Sequence, residues 1–96
     1  MASHSASTAK HATLAANVVD SVTFPRDLDT VEVLNRSASD IYFTVSGTAP
    51  TVGGDCYIAV AGGALAVVVQ DNAASGGTVV KLISASSAAY SVSRAA

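Results

Sequence analysis

His4, His11, Cys56, Glu32 and the aspartates Asp20, Asp27 and Asp29 are the side chains of this chain that could carry chemistry. A hydrolytic site needs a nucleophile, a base and a group that orients the base. His4 and His11 are the only imidazoles, and both fall in MASHSASTAKHATLAA, a Ser-, Ala- and Thr-rich stretch with no sustained hydrophobic period. A base on such a tail is not held to the sub-ångström geometry that catalysis demands, so both histidines are expected to be solvated. Cys56 stands beside Asp55 and Tyr57 with no basic residue near in sequence. A reactive thiolate wants a cationic neighbour or a helix N-terminus, and the expectation here is a buried structural cysteine.

The carboxylates point the same way. Glu32 is the only glutamate, so a paired-carboxylate mechanism would have to use aspartates. Asp20, Asp27 and Asp29 could approach one another, but their spacing matches no EF-type calcium loop, and solvated turn residues are expected. One cysteine and two histidines are a poor ligand set for zinc. Gly53-Gly54, Gly62-Gly63 and Gly76-Gly77 separate strand-like segments from one another. They read as turn glycines, not as a phosphate cradle between a strand and a helix. Tyr42, Tyr57 and Tyr90 could offer a carbohydrate-stacking platform; with no tryptophan in the chain, core or interface packing is the stronger expectation. No catalytic residue, no cofactor, no metal and no small-molecule substrate is expected, and the chain reads as a non-enzyme.

The elements around these residues are strands. From residue 17 onward, apolar side chains recur with period two between short polar turns, the pattern of antiparallel hairpins. Val18, Val22 and Phe24 share a parity with Asp20 in a first strand that Pro25 ends, since proline cannot donate to a ladder. Val31, Val33 and Asn35 alternate with Glu32, Leu34 and Arg36; after the turn SASD, Ile41, Phe43 and Val45 alternate with Tyr42, Thr44 and Ser46. A loop over 46–55 leads to a short strand at Cys56 to Val60. Ala64 to Val69 follows, apolar on both parities, and is expected either at the centre of the core or at a subunit contact. Strands at Val79 to Ser84 and Tyr90 to Ser93 finish the chain. About seven strands at this spacing indicate an all-β protein, a small antiparallel β-sandwich or jelly-roll-like barrel over 17–96. Residues 1–16 are expected to be a flexible N-terminal arm that cannot offset its ordering entropy by burial.

Size and charge narrow the function. The 96 residues suit one domain, and a chain this short buries roughly 60–65% of its unfolded surface, leaving a thin core. Only 12% of residues are charged while 50% are apolar, so apolar surface needs cover, and neighbouring subunits are the simplest cover. A membrane span is not expected: the longest strictly apolar run, Ala64 to Val69, is far below the ~20 residues needed. The five basic residues are scattered and the net charge is −2, whereas a nucleic-acid surface needs a basic cluster. The N-terminus has no secretory pattern.

The stretches VEVLNRSASDIYFTVSGTAPTVGGD and VVKLISASSAAYSVS give the chain a resemblance, from about Asn17 to Ser93, to small all-β accessory proteins encoded among the virion genes of tailed bacteriophages. The resemblance implies a capsid decoration (cement) protein that is made in the host cytoplasm and binds the assembled head. Its partners would be the major capsid protein and copies of itself, trimers first. The alternatives are a component of the head–tail neck or tail, or a carbohydrate- or receptor-binding sandwich. No site residue is carried over from the family.

Overall fold

The computed structural model describes residues 2–25, 30–68 and 77–94; Asp27 and Asp29 lie outside them. Among the described residues there are nine strands and no helix: β1 (Ala2–Ser5), β2 (Ala9–Leu14), β3 (Asp20–Phe24), β4 (Thr30–Asn35), β5 (Ile41–Thr44), β6 (Tyr57–Ala59), β7 (Ala64–Val68), β8 (Thr78–Ile83) and β9 (Ala88–Arg94). They build two sheets, in the orders β1-β3-β8-β5-β6 and β2-β9-β4-β7.

The pairing is nested. β2 pairs with β9, β3 with β8, β4 with β7 and β5 with β6, all antiparallel. A long hairpin folded over itself in this way is a jelly roll, the second of the two architectures the strand spacing suggested. Strand β1 is an addition to it, lying parallel to β3 with Ala2 opposite Asp20 and Ser5 opposite Thr23. The register passes unbroken from one sheet to the other at the first corner. Leu14 faces Ala88 and Asp20 faces Leu82, so residues 15–19 run against 83–87, equal in number, and no bulge is needed. Asn17 takes a positive φ of 59° there, a conformation asparagine tolerates better than most residues, and its N–H donates to the Ser84 carbonyl at 2.8 Å.

Alternation decides which side chains go inward. Val22 and Phe24 on β3, Val80 and Leu82 on β8, and Ile41 and Phe43 on β5 meet Leu14 of β2, Val31 and Val33 of β4, and Tyr90 and Val92 of β9, all essentially without exposure. Asn35 is the polar member of this layer and its amide is fully used. Its Nδ2 donates to the carbonyls of Ser39 (2.6 Å) and Ala59 (2.9 Å), while Oδ1 accepts from the Ser37 N–H (2.9 Å) and Ser37 hydroxyl (2.7 Å). One side chain thereby shapes the β4–β5 turn and ties β6 of one sheet to β4 of the other.

Three expectations change. The N-terminal segment is part of the roll rather than a flexible arm: residues 9–14 form the edge of the second sheet against β9, and Leu14 is buried. Strand pairing and one core leucine supply the burial that its composition did not suggest. Strand β3 starts at Asp20, because residues 15–19 turn the corner. The apolar stretch at 64–68 is an edge strand, β7, and not the centre of the core. We therefore expect deletion of residues 1–14 to abolish cooperative thermal unfolding, and Leu14→Ala to cost ~2–5 kcal/mol in a denaturant titration. Melting unchanged by the deletion would show that β2 is dispensable.

Candidate functional site

The two histidines that the sequence left on a mobile tail are each brought to a partner. On the inner face, Tyr90 donates its hydroxyl across the sandwich to Asp20 Oδ2 at 3.0 Å, and His4 Nε2 of β1 lies 3.6 Å from the same oxygen. Asp20 is 3% exposed, and His4 Nε2 is buried without a hydrogen-bond partner. Burial raises the Tyr90 phenol well above its ordinary range, and the negative Asp20 carboxylate with its hydrogen bond adds to the effect. The group is a neutral phenol held on a carboxylate, with an imidazole at the sheet edge that forms an ion pair when protonated.

On the outer face of the second sheet, His11 Nδ1 lies 2.7 Å from Ser91 Oγ. Arg36 donates to the same Oγ from Nε at 3.0 Å and to the Tyr90 carbonyl at 3.2 Å. A serine on an imidazole resembles half of a nucleophilic site. Its geometry is that of a cross-strand pair, since His11 and Ser91 stand directly opposite in the β2–β9 register. An open cavity of about 260 Å3 is lined by Ser5, Ala6, Ser7, Thr23 and Pro25, so neither cluster opens into it.

The other sequence candidates scatter. Asp20 is locked on Tyr90, Glu32 is exposed on β4, and among the described residues no three His, Cys, Asp or Glu side chains gather as a metal site. Cys56 is half-buried in the β5–β6 loop, its Sγ 3.5 Å from the Thr51 carbonyl and 3.6 Å from that of Gly54; it is not the core cysteine expected. The tyrosines form no common platform, because Tyr90 is wholly buried while Tyr57 packs its ring on Phe43 at 5.6 Å.

What the fold does gather is apolar surface. On the outer face of the first sheet, Tyr42 of β5 stands between Ile83 of β8 and Ile58 of β6 in directly opposed register. The row ends at the free edge β6, where Tyr57, Ile58 and Val60 are 46%, 43% and 58% exposed; Val52 and Leu34 are also exposed. The turn after β6 has Gly62 at φ 72° and a Gly63 N–H to Val60 carbonyl bond of 2.8 Å, a type II turn that carries the chain to β7 of the other sheet.

The two sides of the sandwich differ in kind. One ends in β1 (ASHS) and β2 (AKHATL), polar strands with a lysine and two histidines; the other ends in β6 (YIA) and β7 (ALAVV), with no charge at all. Sheet edges are normally blunted with charge, above all lysine, because an unpaired strand is a template for another chain. β1–β2 follow that practice and β6–β7 do not. Periodicity flagged residues 64–69 as a possible subunit contact, and Tyr57 was noted for core or interface packing, but Ile58 and Val60 gave no separate signal, since a short strand of apolar residues reads as core.

No protein-family model, curated protein or solved structure matches this chain.

Removing the Tyr90 hydroxyl leaves the buried Asp20 carboxylate without that donor, so Tyr90→Phe is expected to cost ~1–3 kcal/mol. The phenol loses its proton near pH 10 when unfolded and higher when folded. Stability conferred by Tyr90 is therefore complete below about pH 10 and declines above it. Denaturant melts from neutral to alkaline pH should show that decline in the parent and a smaller one in Tyr90→Phe; identical curves would mean the bond contributes nothing.

Proposed function

We propose that this protein is a structural, non-enzymatic subunit of an assembled particle, of the kind its sequence resembles: an accessory virion protein of a tailed phage that docks on the capsid shell and reinforces it. The observation that carries this reading is the cluster of exposed apolar side chains at the uncharged β6 edge, Tyr57, Ile58 and Val60, backed by the half-buried Tyr42. Contiguous exposed apolar surface on a small domain marks a contact surface. Many copies on a symmetric lattice turn small contacts into tight overall binding through simultaneous engagement. Jelly rolls also serve as viral capsid and lectin domains, but a fold does not by itself assign a function. The carbohydrate-binding alternative has less support, since only Tyr42 and Tyr57 of its three tyrosines reach the surface. A neck or tail position remains the alternative within the same class.

The test is to add purified protein to shells assembled without it and to sediment the mixture. Saturable binding spread over the whole shell, with raised resistance of the shells to heat, is the expected result. Copies confined to a single vertex would move the protein to the neck, and no binding at any concentration would overturn the structural reading.

A further inference from the structure

We infer that the uncharged β6–β7 edge is the acceptor for the β1–β2 edge of a second copy of this chain, so that copies join head to tail and continue both sheets at once. The inference rests on the structural reading above and names its self-contact.

Strand direction permits it. In the second sheet β2, β9, β4 and β7 alternate in direction, so β7 runs opposite to β2. In the first sheet β1 is parallel to β3, and β8, β5 and β6 then alternate, so β6 runs opposite to β1. A neighbour carried across and turned about the strand direction would set its β2 antiparallel to β7 and its β1 antiparallel to β6. The first sheet is one strand wider than the second, so the turn lets the wider layer take the longer step, and the lengths agree: β1 has 4 residues for the 3 of β6, and β2 has 6 for the 5 of β7.

Charge selects this arrangement over its main competitor. A two-fold axis normal to the sheets would also give antiparallel edges, pairing β7 with β7 and β6 with β6. That contact would bring like charges together, because the acceptor side is acidic: Asp55 stands two residues before β6, and Asp40 sits at the far end of β6, accepting from the Ala61 N–H at 3.1 Å. Glu32 lies on the outer face of β4, opposite Ala66 of β7. The β1–β2 side presents Lys10, while His4 is turned inward onto Asp20 and His11 is held on Ser91. A lysine on an edge resists an arbitrary strand but suits one flanked by carboxylates.

Size then favours closure. With principal extents of 32 × 21 × 20 Å, a side face offers roughly 400 Å2 per copy, about half of the ~800 Å2 per partner of a standard specific contact, so one contact alone is weak. A head-to-tail contact repeats; if its rotation closes, each copy makes two contacts and the ring outlasts any open pair.

The experiment is sedimentation velocity on the purified full chain over a range of concentrations, with Lys10→Glu and Asp55→Lys as variants and circular dichroism to confirm that each is folded. The parent should form a discrete oligomer that weakens as salt rises. Each variant alone should need at least tenfold more protein to associate, and an equimolar mixture of the two should regain the parent's behaviour. That recovery is unique to a heterologous contact, since each variant keeps one intact edge and supplies the matching charge for the other. A parent that stays monomeric overturns the inference, as does an oligomer indifferent to both substitutions. Monomers that bind shells would sink the ring and spare the structural reading, and rings that never bind shells would do the reverse.

Discussion

Tyr90 reaches across the sandwich to place its hydroxyl on the Asp20 carboxylate, and the geometry of the roll is organised around that contact. β9, which carries Tyr90, is the strand both flanks of its sheet depend on: it takes β2 on one edge and β4 on the other. Asp20 opens β3, directly after the corner where the chain leaves the second sheet for the first. The bond thus fixes the spacing of the layers at the point where the chain crosses between them. A buried carboxylate tolerates this place only with donors around it, so the phenol, its raised affinity for its proton and the nearby His4 ring belong to one arrangement.

The nested pairing makes this position demanding. Each strand of the first half, from β2 to β5, finds its partner in the second half in reverse order, so the outermost pair brings Ala9 to Ser93. Contacts so distant in sequence carry a large closure cost before they return any burial. What limits slippage is the strict period of two: a shift by one residue would turn Val22, Phe24, Val80 and Leu82 to solvent together. The polar side chains at the ends of the roll reinforce that register. Asn35 spans the β4–β5 turn and reaches Ala59, and the buried Ser84 donates to the Asp40 carbonyl at 2.8 Å.

Where the inner face is lined by large aliphatic and aromatic side chains, the sequence was readable. The alternation of Val31, Val33 and Asn35 against Glu32, Leu34 and Arg36, and that of Ile41 and Phe43 against Tyr42, appears in the fold as written. It failed where small or polar residues do the same work. In AKHATL only Ala12 and Leu14 mark the inner parity, too little apolar area to outweigh a Ser- and Ala-rich context. The meeting of His11 with Ser91 and of His4 with Asp20 depends on pairings eighty and sixteen positions apart, which no local pattern encodes. Tyr90 looked like any alternating strand residue, and its partner is in the other sheet. The apolar edge was half legible: 64–69 was recognisable as unusual, but whether such a strand is central or exposed depends on sheet order, a property of the whole chain.

The low charge of the protein is then a matter of position as much as of amount. Lys10 and the two histidines lie on one side, Asp40 and Asp55 flank β6 on the other, and the strands β6 and β7 themselves carry no charge. A small sandwich cannot bury all its apolar area internally, because its surface is large for its volume. It could spread the excess evenly, at the cost of many weakly sticky faces, or gather it on one edge and keep the opposite edge polar. The second distribution limits uncontrolled growth: two bare edges would template each other without restraint, whereas a bare edge flanked by carboxylates discriminates among partners by charge. Chains that must assemble in register on an ordered surface, and stay apart beforehand, need that discrimination more than they need a stronger core.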